Sequence, residues 1–154
     1  MERTFIAVKP DGVKRGLIGN IIERFERKGY KIIAMKMIQP TREIAEKHYA
    51  EHVGKPFYER LIWYITSGPI VAMVIEGENV VEGARHIMGA TRPNEADVGT
   101  IRADFAQKME YNVVHGSDSV ANAEREIAIY FKPEEICSDW KTTLDIIMED
   151  EKNR

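Results

Sequence analysis

The stretch EYNVVHGSDS, residues 110–119, contains the side chains of this chain that are best placed to do chemistry. His115 follows two valines and precedes a Gly-Ser-Asp turn, so it is predicted to end a short strand at the rim of a sheet. Ser117 provides a hydroxyl group beside it, and Glu126 in the next predicted helix can accept the hydrogen of one imidazole nitrogen. The pattern favours an oriented, nucleophilic histidine, although a single histidine near a strand end more often has a structural role.

A second motif, HYAEH at residues 48–52, matches the His-x-x-Glu-His pattern of inverted zinc peptidases. In that interpretation His48 and His52 lie on one helical face as metal ligands and Glu51 acts as the base. Five residues carry little information, however, and the alternative is a solvent-exposed helix. The motif alone does not establish a zinc site.

Glycine-rich loops that bind nucleotide phosphates are not found in the sequence. The chain contains neither Gly-x4-Gly-Lys-Ser/Thr nor Gly-x-Gly-x-x-Gly after a predicted strand. The glycines of DGVKRGLIG, residues 11–19, have other spacings and are typical of a turn between a strand and a helix. A phosphate group would therefore be held mainly by side chains.

Composition predicts one compact domain, residues 1–154, with 44% apolar and 31% charged residues. The formal net charge of −3 does not favour a nucleic acid partner, which leaves small anions as ligands. Cys137 is the only cysteine, and the N-terminal residues do not resemble a signal peptide. No apolar run approaches the length of a transmembrane helix. A cytoplasmic location without a membrane partner is expected.

Four strands are predicted from apolar runs that end at proline or glycine, in TFIAVKP, YKIIAMKMIQP, GPIVAMVIEG and NVVHG. Helical spacing of apolar residues predicts the connecting elements, in LIGNIIERFERKG, REIAEKHYAEH, PFYERLIWYITS, VVEGARHIMG and VANAEREIAIYF. This order predicts an α+β sandwich of four antiparallel strands with the helices on one face.

Local residues predict where the helices begin and end. Gly29 is placed to end the first helix, Thr41 and Asn79 to cap later ones, and Asp118 or Ser119 to cap the last of the five.

Two further segments are predicted to lack regular structure. Residues 89–110 show no clear period and are expected to form a long loop. The tail from about 136 to 154 ends in the charged sequence MEDEKNR, which is expected to be frayed. The buried face of the helix that precedes this tail is expected to consist of Val120, Ala123, Ile127 and Phe131.

Several segments together resemble the nucleoside diphosphate kinase family. They are collinear over residues 3 to about 135: VKPDGVKRGLIGNII, SGPIVAMVIEG, TRP, GTIRADF, NVVHGSDS and EREIAIYF. The resemblance implies a ferredoxin-like fold and transfer of the terminal phosphoryl group of a nucleoside triphosphate to a nucleoside diphosphate through a phosphohistidine. A catalytically silent nucleotide-binding or scaffolding member of the same fold is the alternative.

The resemblance also implies individual roles. His115 matches the nucleophile, and Glu126 and Ser117 match its orienting partners. The matched nucleotide-binding residues are Lys9 at the ribose and phosphate, Tyr49, Arg85, Thr91 and Arg102 around the phosphates, Asn112 at the ribose and Phe57 against the base. In HYAEH the tyrosine then carries the function and the two histidines are incidental.

These assignments fit the chemistry of phosphoryl transfer. The transferred group spreads negative charge over its oxygens, so fixed cations and hydroxyl donors stabilise it. Arg85 and Arg102 can each donate two hydrogen bonds to phosphate oxygens. Mg²⁺ is the expected cofactor, and it would bridge substrate phosphates without protein ligands of its own.

The sequence departs from the family pattern at two positions of one loop. Ala103 replaces the usual glycine of GTIRGDF, and Val98 replaces a proline that commonly precedes this motif. The family uses this loop at subunit contacts, so the departures concern assembly more than chemistry. The resemblance implies a homo-oligomer, and the chain length and tail favour a hexamer over a tetramer.

Overall fold

The computed structural model describes residues 1–154 and contains one four-stranded sheet. The strands are β1 (Glu2–Val8), β2 (Lys31–Ile38), β3 (Ile70–Gly77) and β4 (Val114–Gly116). Their order across the sheet is β2-β3-β1-β4, and every neighbouring pair is antiparallel. The predicted α+β class and the four antiparallel strands are confirmed.

Eight α-helices surround this sheet. They are α1 (Pro10–Lys14), α2 (Ile18–Lys28), α3 (Arg42–His48), α4 (Tyr58–Ile65), α5 (Val80–Met88), α6 (Ile101–Phe105), α7 (Val120–Tyr130) and α8 (Thr143–Lys152). Short 3-10 turns lie at Ala50–His52, Pro93–Glu95 and Pro133–Glu135. None of the helices combines the length and the apolar character needed to cross a membrane.

The helices cover both faces of the sheet, so the prediction that they lie on one face is wrong. Side chains of β1 alternate between two apolar clusters, with Phe5 in the first and Ile6 in the second. The first cluster includes residues of α3, α4 and α7, and the second includes residues of α2 and α5. The continuous apolar run of β3 reflects this arrangement, since a strand buried on both faces does not alternate with polar residues.

Most of the predicted helix ends are confirmed. Gly29 ends α2 with a positive φ of 99°. The hydroxyl of Thr41 accepts a hydrogen bond from the backbone N–H of Ile44, and that of Ser119 accepts one from Asn122 at the start of α7. Ser119 is therefore the cap of α7 and Asp118 is not. Asn79 occupies the N-cap position of α5, but its side chain makes no capping hydrogen bond.

Residues 89–110 are not an unstructured loop. They contain the 3-10 turn at Pro93–Glu95 and the helix α6, whose first turn is capped by the Thr100 hydroxyl. A helix of five residues is too short to produce a visible apolar period.

Two expectations for the C-terminal part are also corrected. Val120 is 46% exposed, so the buried face of α7 does not include it. The tail contains α8, which continues to Lys152 and begins with a reciprocal capping box between Thr142 and Asp145. The segment expected to be frayed is therefore mostly helical.

Candidate active site

A cleft of about 590 Å³ brings together the predicted site residues. Three of them lie at the end of β1, at the end of α3 and at the start of α4, and four lie within α5, α6, β4 and α7. Thr91 and Asn112 lie in connecting segments, after α5 and before β4. All of them except Ser117 line the cleft: Lys9, Tyr49, Phe57, Arg85, Thr91, Arg102, Asn112, His115 and Glu126. Ser117 lies directly behind it, bonded to Glu126.

The imidazole of His115 is held by one of its nitrogens. Its Nε2 lies 2.7 Å from Oε1 of Glu126, and the same oxygen accepts a hydrogen bond of 2.8 Å from the hydroxyl of Ser117. A carboxylate accepts and does not donate, so the hydrogen of His115 is on Nε2. Nδ1 makes no hydrogen bond within the chain and carries the free lone pair, as a nucleophile requires.

The carboxyl group of Glu126 is ionised despite its burial. Burial on its own would raise its pKa, but the hydrogen bond and charge of His115, with contributions from His48 and Ser117, lower the pKa to about 2. A permanent negative charge therefore lies behind His115 and can stabilise the positive charge that the ring gains when it attacks.

Backbone geometry places His115 at the edge of the sheet. His115 pairs with Ala7 of β1, and two residues before it Val113 has a φ of 61°, a rare conformation for a β-branched residue. Asp11 stabilises this conformation by accepting a hydrogen bond of 3.2 Å from the N–H of Val113. A side chain at Gly12 would begin 2.9 Å from the Val113 carbonyl oxygen, so the close approach requires glycine.

Lys9 and Asn112 form a second polar group in the cleft. Nζ of Lys9 donates to Oδ1 of Asn112 over 2.7 Å, and the amide nitrogen of Asn112 donates to the Thr91 carbonyl over 3.1 Å. Burial, aided by the charge of Arg102, lowers the pKa of Lys9 to about 7, although Asp11 opposes the shift. An anionic ligand beside Lys9 would favour its charged form.

Arg102 is anchored by the backbone. Its Nη1 donates to the Gly89 carbonyl at 2.9 Å and its Nη2 to the Val114 carbonyl at 2.7 Å. Each of these nitrogens has a second hydrogen, and Nε is buried without a partner. Burial, followed by the charge of Arg85 in the same cleft, lowers the pKa of Arg102 to about 10, so the group remains cationic near neutral pH.

Phe57 and Tyr49 lie on another wall of the cleft. Phe57 is 46% exposed, so the face of its ring is available to a ligand. Tyr49 is buried, and burial followed by the charge of Glu126 raises the pKa of its hydroxyl, which stays protonated and can donate.

His48 lies beside His115, a contact that the sequence did not predict. Its side chain is buried, and the centroid of its ring is 4.7 Å from that of His115. A sequence signal was present, because Ala45, His48 and Tyr49 have the spacing of one buried helical face. Asp11 is not among the predicted site residues, yet it supports the backbone at Val113 and accepts a hydrogen bond from Tyr64.

The inverted zinc-peptidase interpretation of HYAEH is wrong. Helix α3 ends at His48, and a 3-10 turn carries Glu51 and His52, so the two histidines do not share a helical face. The potential metal ligands that do lie close together are His48, His115 and Glu126, within 4.8 Å of one another. His52 lines the cleft near Phe57, with ring centroids 5.4 Å apart.

The arrangement can bind and transfer an anionic group. A nucleophilic nitrogen faces a cleft that also contains one lysine, three arginines and several neutral donors. Such donors stabilise the charge of a phosphoryl group in transfer.

Comparison with known proteins agrees with the family resemblance of the sequence motifs. The nucleoside diphosphate kinase family model matches residues 2–136. A nucleoside diphosphate kinase of Desulforamulus reducens is 59% identical over 145 residues, which cover 94% of this chain and 97% of that protein. The one from Synechococcus elongatus is 56% identical over 144 residues, covering 94% and 96%.

Solved structures agree with the sequence comparisons. A nucleoside diphosphate kinase family protein from Babesia bovis superposes with a TM-score of 0.92 at 44% identity, covering 96% of this chain and 99% of that one. A halophilic nucleoside diphosphate kinase from Halobacterium salinarum, solved in complex with CDP, has a TM-score of 0.91 at 46% identity and covers 95% and 97%. The ferredoxin-like fold is thereby confirmed.

Proposed function

Because this chain belongs to the nucleoside diphosphate kinase family, we propose that His115 is the residue that carries the phosphoryl group in its reaction. The enzyme transfers the terminal phosphate of a nucleoside triphosphate to a nucleoside diphosphate. The observation that carries the assignment is the orientation of the ring. Glu126 holds Nε2 of His115, which leaves Nδ1 as the free nitrogen.

In the proposed mechanism Nδ1 of His115 attacks the terminal phosphorus in line with the bond that breaks. The electron pair of that bond goes to the bridging oxygen, and a nucleoside diphosphate leaves. The proton on Nε2 remains there, and the carboxylate of Glu126 stabilises the positive charge on the ring. A second nucleoside diphosphate then attacks the phosphohistidine and restores the free ring.

The remaining site residues hold the nucleotide. Arg85, Arg102 and Lys9 supply positive charge to the phosphates, and Tyr49 and Thr91 supply hydroxyl donors. Asn112, already bonded to Lys9 Nζ, is assigned to the ribose, and the exposed ring of Phe57 to the base. None of these contacts requires a glycine-rich loop.

Mg²⁺ is the proposed cofactor. The ligand atoms that lie closest together, on His48, His115 and Glu126, are two nitrogens and a carboxylate oxygen, a set that does not suit a cation preferring six oxygens. The carboxylates of Glu51, Glu110 and Asp118 also line the cleft and could accept hydrogen bonds from the water shell of an ion held by the substrate phosphates. When bound, Mg²⁺ neutralises phosphate charge.

Initial-rate kinetics test the proposed function. Varying ATP at several fixed concentrations of a nucleoside diphosphate should give parallel double-reciprocal lines, because the first product leaves before the second substrate binds. Intersecting lines would contradict the proposed ping-pong mechanism. Binding of nucleotides without any turnover would instead favour the silent nucleotide-binding alternative.

We also propose a homo-hexamer, with a tetramer as the alternative. β2 is an edge strand, and Met35 and Met37 on it are 54% and 57% exposed. Val98 is 99% exposed in the loop before α6. Apolar side chains at these places support subunit contacts. Light scattering that gave the mass of a monomer would contradict the assembly, and four subunits would correct its number.

A cytoplasmic location and a single catalytic domain over residues 1–154 complete the proposal. Cys137 is an exposed free thiol and has no second cysteine to pair with, which suits a reducing compartment. Cell fractionation would test the location, and a single unfolding transition in a calorimeter would test the domain.

A further inference from the structure

His48 is a buried histidine that the mechanism above does not use. Its ring meets that of His115 at 71° with centroids 4.7 Å apart. Three further aromatic rings surround it, with centroid distances of 6.1 Å to Phe5, 4.6 Å to Tyr49 and 5.5 Å to Tyr130. These contacts fix the position of the ring against the proposed nucleophile.

The hydrogen bonds of His48 indicate which nitrogen carries its hydrogen. Nδ1 lies 2.7 Å from the hydroxyl oxygen of Tyr130, and Nε2 is buried without a hydrogen-bond partner. Oε2 of Glu126 is 3.9 Å from Nε2. If Nδ1 carried the hydrogen, the lone pair of Nε2 would face a carboxylate. If Tyr130 donates to Nδ1, the hydrogen is on Nε2 and faces that negative charge, which is the favourable arrangement.

His48 is also neutral. Burial lowers its pKa to about 3, helped by His115, Arg125 and Lys9 and opposed by Glu126. A positively charged ring at this position would compete with His115 for the same carboxylate. A neutral ring contributes only the dipole of its N–H group.

We propose that His48 is a positioning residue for phosphoryl transfer, whose neutral Nε2–H keeps the Glu126 carboxylate turned so that the other oxygen holds His115. This inference rests on the proposed function of His115. The separation of 3.9 Å is longer than a hydrogen bond, so the interaction orients the carboxylate electrostatically.

Arg125 supports the same oxygen from a second direction. Its Nη2 lies 3.6 Å from Oε2 of Glu126, and its guanidinium donates to the backbone carbonyls of Lys47 and His48 at 3.0 and 3.4 Å. The end of α3 and the middle of α7 are therefore joined at this carboxylate. Loss of the His48 donor would leave one side of Oε2 without a dipole and allow the carboxylate to rotate.

A matched pair of variants tests the proposal. In His48→Gln the side-chain amide extends about as far as Nε2 and can still donate to Glu126, whereas in His48→Asn it extends only about as far as Nδ1. The single-turnover rate of phosphoenzyme formation should fall about tenfold in His48→Asn and stay within about threefold of the parent in His48→Gln. Affinity for ADP should be unchanged in both, because no nucleotide contact is removed.

Equal rates in the two variants, whether both high or both low, would overturn the inference, and so would a loss of ADP affinity that matches the loss of rate. NMR of the unmodified enzyme needs no variant and tests the tautomer. Nitrogen shifts of His48 should show hydrogen on Nε2, and hydrogen on Nδ1 would overturn the proposal.

The same experiments separate this inference from the proposed function. Phosphate that mapped to a residue other than His115 would refute the proposed nucleophile. Phosphate on His115 that formed at the full rate in His48→Asn would refute only the role of His48.

Discussion

Replacing Glu126 with glutamine should slow phosphoenzyme formation about 10- to 30-fold and leave ADP affinity unchanged. The side chain is nearly the same size, so the change isolates the negative charge behind His115. The nitrogen that attacks remains in place, and a loss of this kind therefore belongs to the chemical step.

The magnitude follows from the contacts of one oxygen. Oε1 of Glu126 accepts from His115 at 2.7 Å and from Ser117 at 2.8 Å, and the amide oxygen of glutamine could replace both contacts. A hydrogen bond to a charged group contributes about 1.5–3 kcal/mol, against about 1 kcal/mol for a neutral pair. The difference of about 0.5–2 kcal/mol corresponds to roughly 2- to 30-fold in rate. The amide nitrogen of the glutamine would take the place of Oε2, which lies 3.6 Å from Nη2 of Arg125. Two hydrogen-bond donors would then face each other, so we expect a loss in the upper part of this range.

Rapid-quench measurement of a single turnover with labelled ATP gives the rate, and calorimetry gives the ADP affinity. Glu124→Gln is the matched control, since it makes the same substitution at an exposed position of α7. A parental rate in Glu126→Gln, or an equal loss in ADP affinity, would refute the role assigned to this carboxylate.

Three further predictions follow from single side chains. The pKa of Lys9 is about 7 without ligand, and a phosphate would raise it, so ADP binding between about pH 7 and 9 should take up a proton and weaken as the pH rises. Calorimetry in buffers of different ionisation heat should detect this uptake, and Lys9→Met should abolish it. Phe57→Ala should weaken ADP, GDP and CDP by a similar ~1–3 kcal/mol, because stacking accepts every base, and a loss confined to one base would contradict the assignment. Val98 is followed by Gly99 with a φ of 95°, and Thr100 N–H bonds to the Asp97 carbonyl at 3.1 Å, which together describe a type II turn. Val98→Pro should therefore raise the melting temperature by about 1–4 °C relative to Val98→Ala, and a lower value would refute this turn assignment.

The short sequence separations in the site explain why part of it could be predicted. His115, Ser117 and Glu126 come from one strand, the turn after it and the next helix, so their contact follows from local structure. The seven nucleotide-binding residues come from separate segments of the chain, and only the family resemblance joined them.

The parts that could not be predicted depend on long-range packing. The spacing of Ala45, His48 and Tyr49 indicates burial of His48, but the contact of its ring with His115 depends on α3 packing beside α7. The positive φ of Val113 has no sequence signal, because valine rarely adopts it. The continuous apolar run of β3 indicates that helices cover both faces of the sheet. The prediction of one covered face was based only on the order of strands and helices.

The measurement that tests the central claim most directly is the intact mass of the enzyme before and after incubation with Mg²⁺ and ATP. We expect the mass of one phosphoryl group to appear, to be lost in acid and to transfer to added GDP. His115→Ala should show no increase, whereas His86→Ala, which removes an exposed histidine outside the cleft, should behave like the parent. A phosphoryl group that still formed on His115→Ala, or that resisted acid, would contradict the assignment of His115 as the nucleophile.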